Sequence, residues 1–368
     1  MKKQLSSMDA HFLVKELGQL KGSRIDKIYQ PEDDLIIFSF HKANEGRKIL
    51  KIKVGTCAYI IDEKENYDET LGFGMFLRKH LDGYFLDGVE QLEPERILKF
   101  TFKIKDEKKF FYLEFFGKGN AILCSENNAI LNALEHHDFR ERSIRPKLKY
   151  VYPMMNYNLF ELKDLDVVFK NSKKDSLITS LAIELGLGGL YAEEVCLLSH
   201  IDKTINPKNI DDKSTHSILD SLNKIINKEI DAYVVFENGL VIDVIPFDME
   251  FYKGKDKRKF SSFSEALSFF YLQFKEIKET EFDKKLKNLQ RIIEEQRQTI
   301  EAFRIEETEL REKGELIYQK YALIKEVLDE LNKASKKYSW KEIKEKVKGH
   351  NLIKELNDKD RKVVVEIV

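Results

Sequence analysis

Glu95 and Arg96 set a carboxylate directly beside a guanidinium, after Pro94 and at the start of the alternating run ILKFTFKI. An acid in that position can orient the arginine fork for bidentate contact with a phosphate or a base edge. The competing reading is an exposed ion pair of small energetic value. The run FRERSIRPKLKYVYP, Phe139 to Pro153, interleaves Arg140, Arg142, Arg145, Lys147 and Lys149 with Tyr150 and Tyr152. Cations for the backbone and rings for stacking are what RNA asks of a protein, although a solvated loop has the same composition. Arg78 and Lys79, followed by His80, form a second basic ridge on a short helix, unless they only cap its end.

LGLGGLYAEEVC, Leu185 to Cys196, spends three of the chain's 17 glycines, Gly186, Gly188 and Gly189, on one turn before a helical run. That is the layout of a helix-hairpin-helix, whose hairpin amides and second-helix N-terminus face a phosphate. Glu193 and Glu194 then fall in the second helix's first turn, where they suit the dipole and repel a nearby phosphate. A phosphate-binding hairpin and a plain helix connector both stay open.

Ordinary catalytic machinery is thin. There is no H-x-x-x-H, G-x-S-x-G or P-loop pattern, and the adjacent His136 and His137 would point to opposite faces of a strand. Cys57, Cys124 and Cys196 are isolated, which argues against a zinc finger and fits a reducing compartment. No catalytic residue, metal or cofactor is expected. Lys and Arg number 63 against 64 Asp and Glu, for a net charge of −1, so any basic face must be local. No apolar run is long enough to span a bilayer, and MKKQLSSMDAHF lacks the apolar core of a signal peptide, so a cytoplasmic protein without a membrane partner is expected.

These residues need a scaffold, and the hydrophobic spacing supplies one. A first helix is predicted over Ser7 to Gln19, with Asp9 in its first turn. RIDKIYQ, DLIIFSFH, KILKIKV, CAYII, ILKFTFKI and KFFYLEFF alternate as strands, and GFGMFLRKHLDG reads as a short helix. The first part of the chain, 1–155, therefore reads as an antiparallel sheet or sandwich with a few helices. Residues 156–228 turn helical, and 229–262 return to strands around the tight Glu237-Asn238-Gly239 turn. The class is α+β, with a helical block inserted in a β-rich module. Ser264 is the expected cap of a helix that opens the 263–345 segment. Apolar residues from Leu286 to Leu331 then fall on an alternating 3–4 spacing, a heptad seam predicting one continuous coiled-coil arm. With no second heptad run before Val368, the expectation is that 346–368 forms the coiled-coil tip, that the returning arm lies beyond this fragment, and that the open seam invites self-association.

SSMDAHFLVKELGQLKGSRIDKIYQP, FLRKHLDG, ERILKF, FFGKGNAILC, LGLGGLYAEEVC and FENGLVIDVIPF occur in this order. In that order the chain resembles the N-terminal part of ribosome-associated quality-control factors of the NEMF/RqcH type, also labelled fibronectin-binding proteins. The resemblance implies an NFACT-N domain similar to the N-terminal domain of formamidopyrimidine-DNA glycosylases, then a helix-hairpin-helix domain and a coiled coil, with the NFACT-R domain absent here. It implies a scaffold rather than an enzyme. Such factors bind a large ribosomal subunit carrying stalled peptidyl-tRNA and recruit aminoacyl-tRNA, alanyl-tRNA in prokaryotes, for mRNA-independent C-terminal tailing; the ribosome makes the peptide bonds. The family's acidic position in the first helix falls on Asp9, and its Asp-Arg pair for tRNA recruitment on Glu95 and Arg96, with glutamate in place of aspartate. The resemblance also raises the basic residues Arg78, Lys79, Arg140, Arg142, Arg145 and Lys147 to expected RNA contacts. Two other functions compete: a nucleic-acid enzyme of glycosylase or nuclease type, disfavoured by the MKKQ start where such glycosylases carry Pro-Glu, and a coiled-coil adhesin.

Overall fold

The computed structural model describes the chain apart from residues 1, 3, 63–66, 68–69, 140–141, 274–280, 351, 358–359, 361 and 367–368, and describes only the backbone at 281–288 and 290. Two compact units divide it, Met1–Lys275 and Glu276–Val368.

In the first unit, helix α1 (Ser7–Leu17) starts at a capping box, Ser6 accepting from the Asp9 amide while Asp9 accepts from Ser6. Strands β1 (Arg24–Glu32), β2 (Leu35–Lys42), β3 (Gly46–Lys53) and β4 (Cys57–Ile61) follow, then helix α2 (Gly72–Leu81). Strands β5 (Phe85–Gln91), β6 (Ile97–Ile104), β7 (Glu107–Glu114), β8 (Asn120–Ser125) and β9 (Ile130–Ala133) complete an antiparallel sheet in the order β4-β3-β2-β1-β5-β6-β7-β8-β9. Its two halves meet at a single register pair, Arg24 with Phe85, so the sheet splays there. Phe38 of β2 stacks against Phe102 of β6 at 5.9 Å and meets Phe111 of β7 edge-on at 5.4 Å. The halves thus face each other across one apolar core, a sandwich made by bending one sheet. Alternation in ILKFTFKI explains the facing: Leu98, Phe100 and Phe102 are buried, while Lys99 and Lys103 lie on the other face. The short pair β10 (His137–Asp138) and β11 (Ser143–Ile144) follows.

The segment expected to be helical contains α3 (Asp166–Asn171), α4 (Leu177–Thr179) running into a π-helical turn over Ser180–Glu184, α5 (Gly188–Ser199) and α6 (Asp212–Ile226). Strands β12 (Tyr233–Glu237), β13 (Leu240–Ile245) and β14 (Asp256–Lys259) form a separate antiparallel sheet. Asn238 and Gly239 both take positive φ, 51° and 75°, at the hairpin turn between β12 and β13. Helix α7 (Phe263–Gln273) buries Phe263, Ala266, Leu267 and Phe270 and belongs to this unit, not to the coiled-coil arm in which its residues were expected. Ser262, not Ser264, occupies its cap, accepting from the Glu265 amide at 3.0 Å; Ser264 Oγ instead accepts the Ile60 amide of β4.

In the second unit, α8 (Glu281–Gln319) spans about 58 Å. The single rod expected from Leu286 to Leu331 is interrupted: Lys320 leaves helical geometry (φ −100°, ψ 18°), and α9 (Tyr321–Ser335) begins after it. Seam residues Leu289, Ile293, Ile300, Phe303, Leu310 and Ile317 are exposed. Val327 and Leu331 of α9 instead pack with Ile343 of α10 (Trp340–Lys346) and Leu356 of the hairpin β15 (Ile353–Asn357) and β16 (Lys362–Val365). Local packing at the end of the unit therefore competes with the continuous heptad.

Candidate nucleic-acid interface

The Glu95–Arg96 pair sits on the turn between β5 and β6, one residue before the strand. The turn is pinned from below. Gln91 Nε2 donates to the Glu95 carbonyl at 2.8 Å and to the Ser7 carbonyl at 2.9 Å, tying it to the start of α1. The Phe115 amide donates to the Arg96 carbonyl at 2.8 Å. Arg96 is half-buried, its guanidinium touching Gln4 Oε1 at 3.4 Å, and Gln4 Nε2 in turn reaches the Gly117 carbonyl at 2.8 Å. No ion pair holds Arg96 among the described residues. Glu95 is half-buried as well; burial pushes its carboxyl above the usual carboxylate range, partly offset by Arg96 beside it.

The glycine hairpin lies against this turn. A Cβ on Gly186 would approach Pro94 O to 3.3 Å and Met155 Sδ to 2.8 Å, and the residue has φ +68°. Glycine is therefore required there twice over, by backbone and by contact. Gly188, at φ +74°, and Gly189 face open space at the start of α5, where no side chain caps the first amides. Glu193 and Glu194 fall in the second turn of α5 rather than the first. Glu193 pairs with Lys203 at 2.6 Å. Glu194 is fully buried and accepts the Glu250 and Phe251 amides at 3.0 and 2.9 Å, so it faces away from the hairpin's open side.

The basic run passes along the same rim, with Tyr152 donating to Glu93 at 3.4 Å before Met155 meets Gly186. Its arginines are mostly committed. Arg142, expected to contact RNA, is held bidentate by Glu114 at 2.6 and 3.0 Å with its side chain only 10% exposed, and Tyr150 donates to the same carboxylate at 2.9 Å. A guanidinium neutralised and packed in this way is a structural tie, not a free RNA contact. Arg145 is exposed but grips both Asp138 oxygens, at 2.9 and 3.0 Å from its Nε. Lys147 projects from a turn at φ +73°. Arg140 lies outside the described residues. Arg78 is exposed, hydrogen-bonded to Ile28 O and to Thr70 Oγ1 at 2.6 Å, and lies 5.0 Å from the Tyr29 ring; Lys79 beside it is exposed. Among the described residues no hydrogen bond or ion pair joins these two to the Arg96 rim.

Asp9 requires a correction. It is 0% exposed and cannot touch an RNA. Beyond its role in the capping box, Asp9 accepts from Lys2 Nζ at 3.0 Å and from the Tyr191 hydroxyl at 2.9 Å. Lys2 also pairs with Asp243 at 3.2 Å, and Tyr252 donates to Asp243 at 2.6 Å. Burial alone would lower the Lys2 ammonium pKa; Asp243 and Asp9 reverse this and hold it above the ordinary lysine value. The network binds the chain start, α1, α5 and β13 into one buried knot. Lys2, Gln4 and Gln91, which position the site, carried no signal in the sequence, because Asp243, Gly117 and Ser7, which help fix them, are far away along the chain. Among the described residues no cluster of metal-ligating side chains occurs, and no helix is long and apolar enough to cross a membrane.

Comparison with known proteins agrees with this architecture. Residues 6–362 match the family model for NFACT N-terminal and middle domains. The chain is 26% identical over 395 residues to the archaeal Rqc2 homolog aRqcH of Methanocaldococcus jannaschii, covering 100% of this chain and 58% of that protein. It is 31% identical over 168 residues to ribosome quality control complex subunit 2 of Saccharomyces cerevisiae, covering 44% of the chain and 15% of that relative. The fold is also that of the N-terminal part of a fibronectin/fibrinogen-binding protein from Streptococcus suis, with TM-score 0.60 and 21% identity over 73% of this chain and 100% of that one. A fibrinogen-binding protein from Staphylococcus aureus superposes with TM-score 0.59 and 19% identity over 72% of this chain and 98% of the other. The chain thus spans little more than half of the archaeal relative, and with the family model matched along nearly its whole length it belongs to the NFACT/RqcH family.

Proposed function

We propose that the chain is the RNA-engaging part of a cytoplasmic ribosome quality-control factor, acting as a scaffold rather than an enzyme. It binds the large ribosomal subunit with its stalled peptidyl-tRNA and holds an incoming aminoacyl-tRNA, alanyl-tRNA by family resemblance, so that the ribosome extends the stalled chain without mRNA. The names of the archaeal and yeast relatives support the ribosomal setting. The observation that carries the tRNA role is Arg96: a guanidinium without an ion-pair partner among the described residues, fixed on a turn that is pinned to α1 and abuts a glycine hairpin with uncapped helix amides. The exposed seam of α8 is the surface through which the protein pairs with a further helix.

Sequencing the RNA that co-purifies with the protein from translationally stressed cells tests this. Enrichment of large-subunit rRNA together with alanine tRNA is expected; recovery of neither would refute it.

A further inference from the structure

We propose a second RNA-binding surface, separate from the Arg96 rim, on the outer face of the sheet where its two halves join, built to take single-stranded RNA. The residues concerned stand in one cross-strand row. His41 of β2 pairs in register with Arg24 of β1, Arg24 with Phe85 of β5, Phe85 with Lys103 of β6, and Lys103 with Lys108 of β7. Residues directly opposite share a face, so this row displays cations on both sides of one aromatic ring across about 19 Å. Tyr84 and Leu86 are buried on either side of Phe85, and the strand's alternation turns Phe85 outward, 46% exposed.

A cleft of about 300 Å³ opens beside the ring, where Lys21 and Lys105 join Lys103 and the single lining carboxylate is Asp87. None of Lys21, Arg24, Lys103, Lys105 or Lys108 has an ion-pair partner among the described residues. Other lysines of this sheet do: Lys48, Lys53, Lys99 and Lys109 each hold a carboxylate within 3.2 Å. Lys103 and Lys108, in register on adjacent strands, repel, and neither holds a carboxylate in an ion pair among the described residues. A polyanion relieves the repulsion. The lone exposed ring set level with the cations fits a stacked base flanked by phosphates, the arrangement of single-strand binders. An anionic lipid surface would instead call for several protruding apolar side chains.

The test is binding of the whole chain to a fluorescent single-stranded RNA over a salt series. Phe85→Ala is expected to weaken binding about 5- to 100-fold and leave the salt slope unchanged. Arg24→Gln and Lys103→Gln are each expected to reduce the slope of log K on log salt by about 0.7. All three positions are on the surface, and unchanged thermal melting checks that each variant folds. Unaltered affinity and slope in all three would overturn the proposal, as would equal loss of binding to anionic phosphatidylserine vesicles and to RNA. Arg96→Ala is measured in parallel: loss of tRNA binding there, with these variants unaffected, leaves the Arg96 reading standing and removes this one, and the opposite pattern does the reverse.

Discussion

Tyr191 donates its hydroxyl to Asp9 across a fully buried gap of 2.9 Å, joining the helix after the glycine hairpin to the helix that opens the chain. Asp9 therefore acts on the Arg96 rim by holding elements in place. Asp9→Asn leaves Lys2 its Asp243 partner but removes the buried carboxylate that accepts from Lys2, Ser6 and Tyr191, a loss of about 1–3 kcal/mol in stability. Denaturant melts should show that loss, with RNA binding falling only as the fold does. A full-stability Asp9→Asn variant that has lost tRNA binding would contradict this role.

Arg142→Ala strands the Glu114 carboxylate, which is 3% exposed, and should cost about 3–5 kcal/mol. Arg145→Ala, at an exposed surface pair, should leave stability nearly unchanged. Chemical denaturation of the two variants checks the contrast. Equal effects would mean that the Glu114 tie is not the anchor of this segment.

Glu95 offers a pH signature. Its pKa is raised in the fold, chiefly by burial, so the folded state holds the proton more tightly than the unfolded chain. Stability then falls as pH rises from the ordinary carboxylate range through the raised value. Glu95→Gln escapes this. It should melt higher than the parent at neutral pH, with the difference closing below the ordinary carboxylate range, while tRNA affinity drops because the acid beside Arg96 is gone. A lower melting temperature at neutral pH would refute the assignment.

Gly186→Ala is expected to destabilise the first unit by about 1–2 kcal/mol through its left-handed backbone alone, more where Met155 cannot move aside. Gly189→Ala, facing open space at ordinary φ, should be near neutral. Thermal melts of the pair distinguish a hairpin held by close packing from one that merely joins two helices.

Strand positions were legible wherever period-two alternation was strong, as in ILKFTFKI, and the Asn238-Gly239 turn was legible from its residue types. The fate of charges was not. Asp9 and Arg142 read as surface groups because nothing local shows that Lys2, Tyr191 and Glu114 close over them. The row through Phe85 was hidden for a related reason: its members come from five strands, and only register brings them together. The heptad was real as a pattern, yet it could not announce the break at Lys320, where packing among α9, α10 and the β15–β16 hairpin takes over.

The most direct test of the central claim is the equilibrium affinity of Arg96→Ala for tRNA, read alongside its melting temperature. Loss of a guanidinium with no ion-pair partner among the described residues should weaken binding at least tenfold with melting unchanged, and, if the fork grips phosphate through two bonds, Arg96→Lys should restore little of it. Wild-type affinity in a folded Arg96→Ala protein would contradict the account.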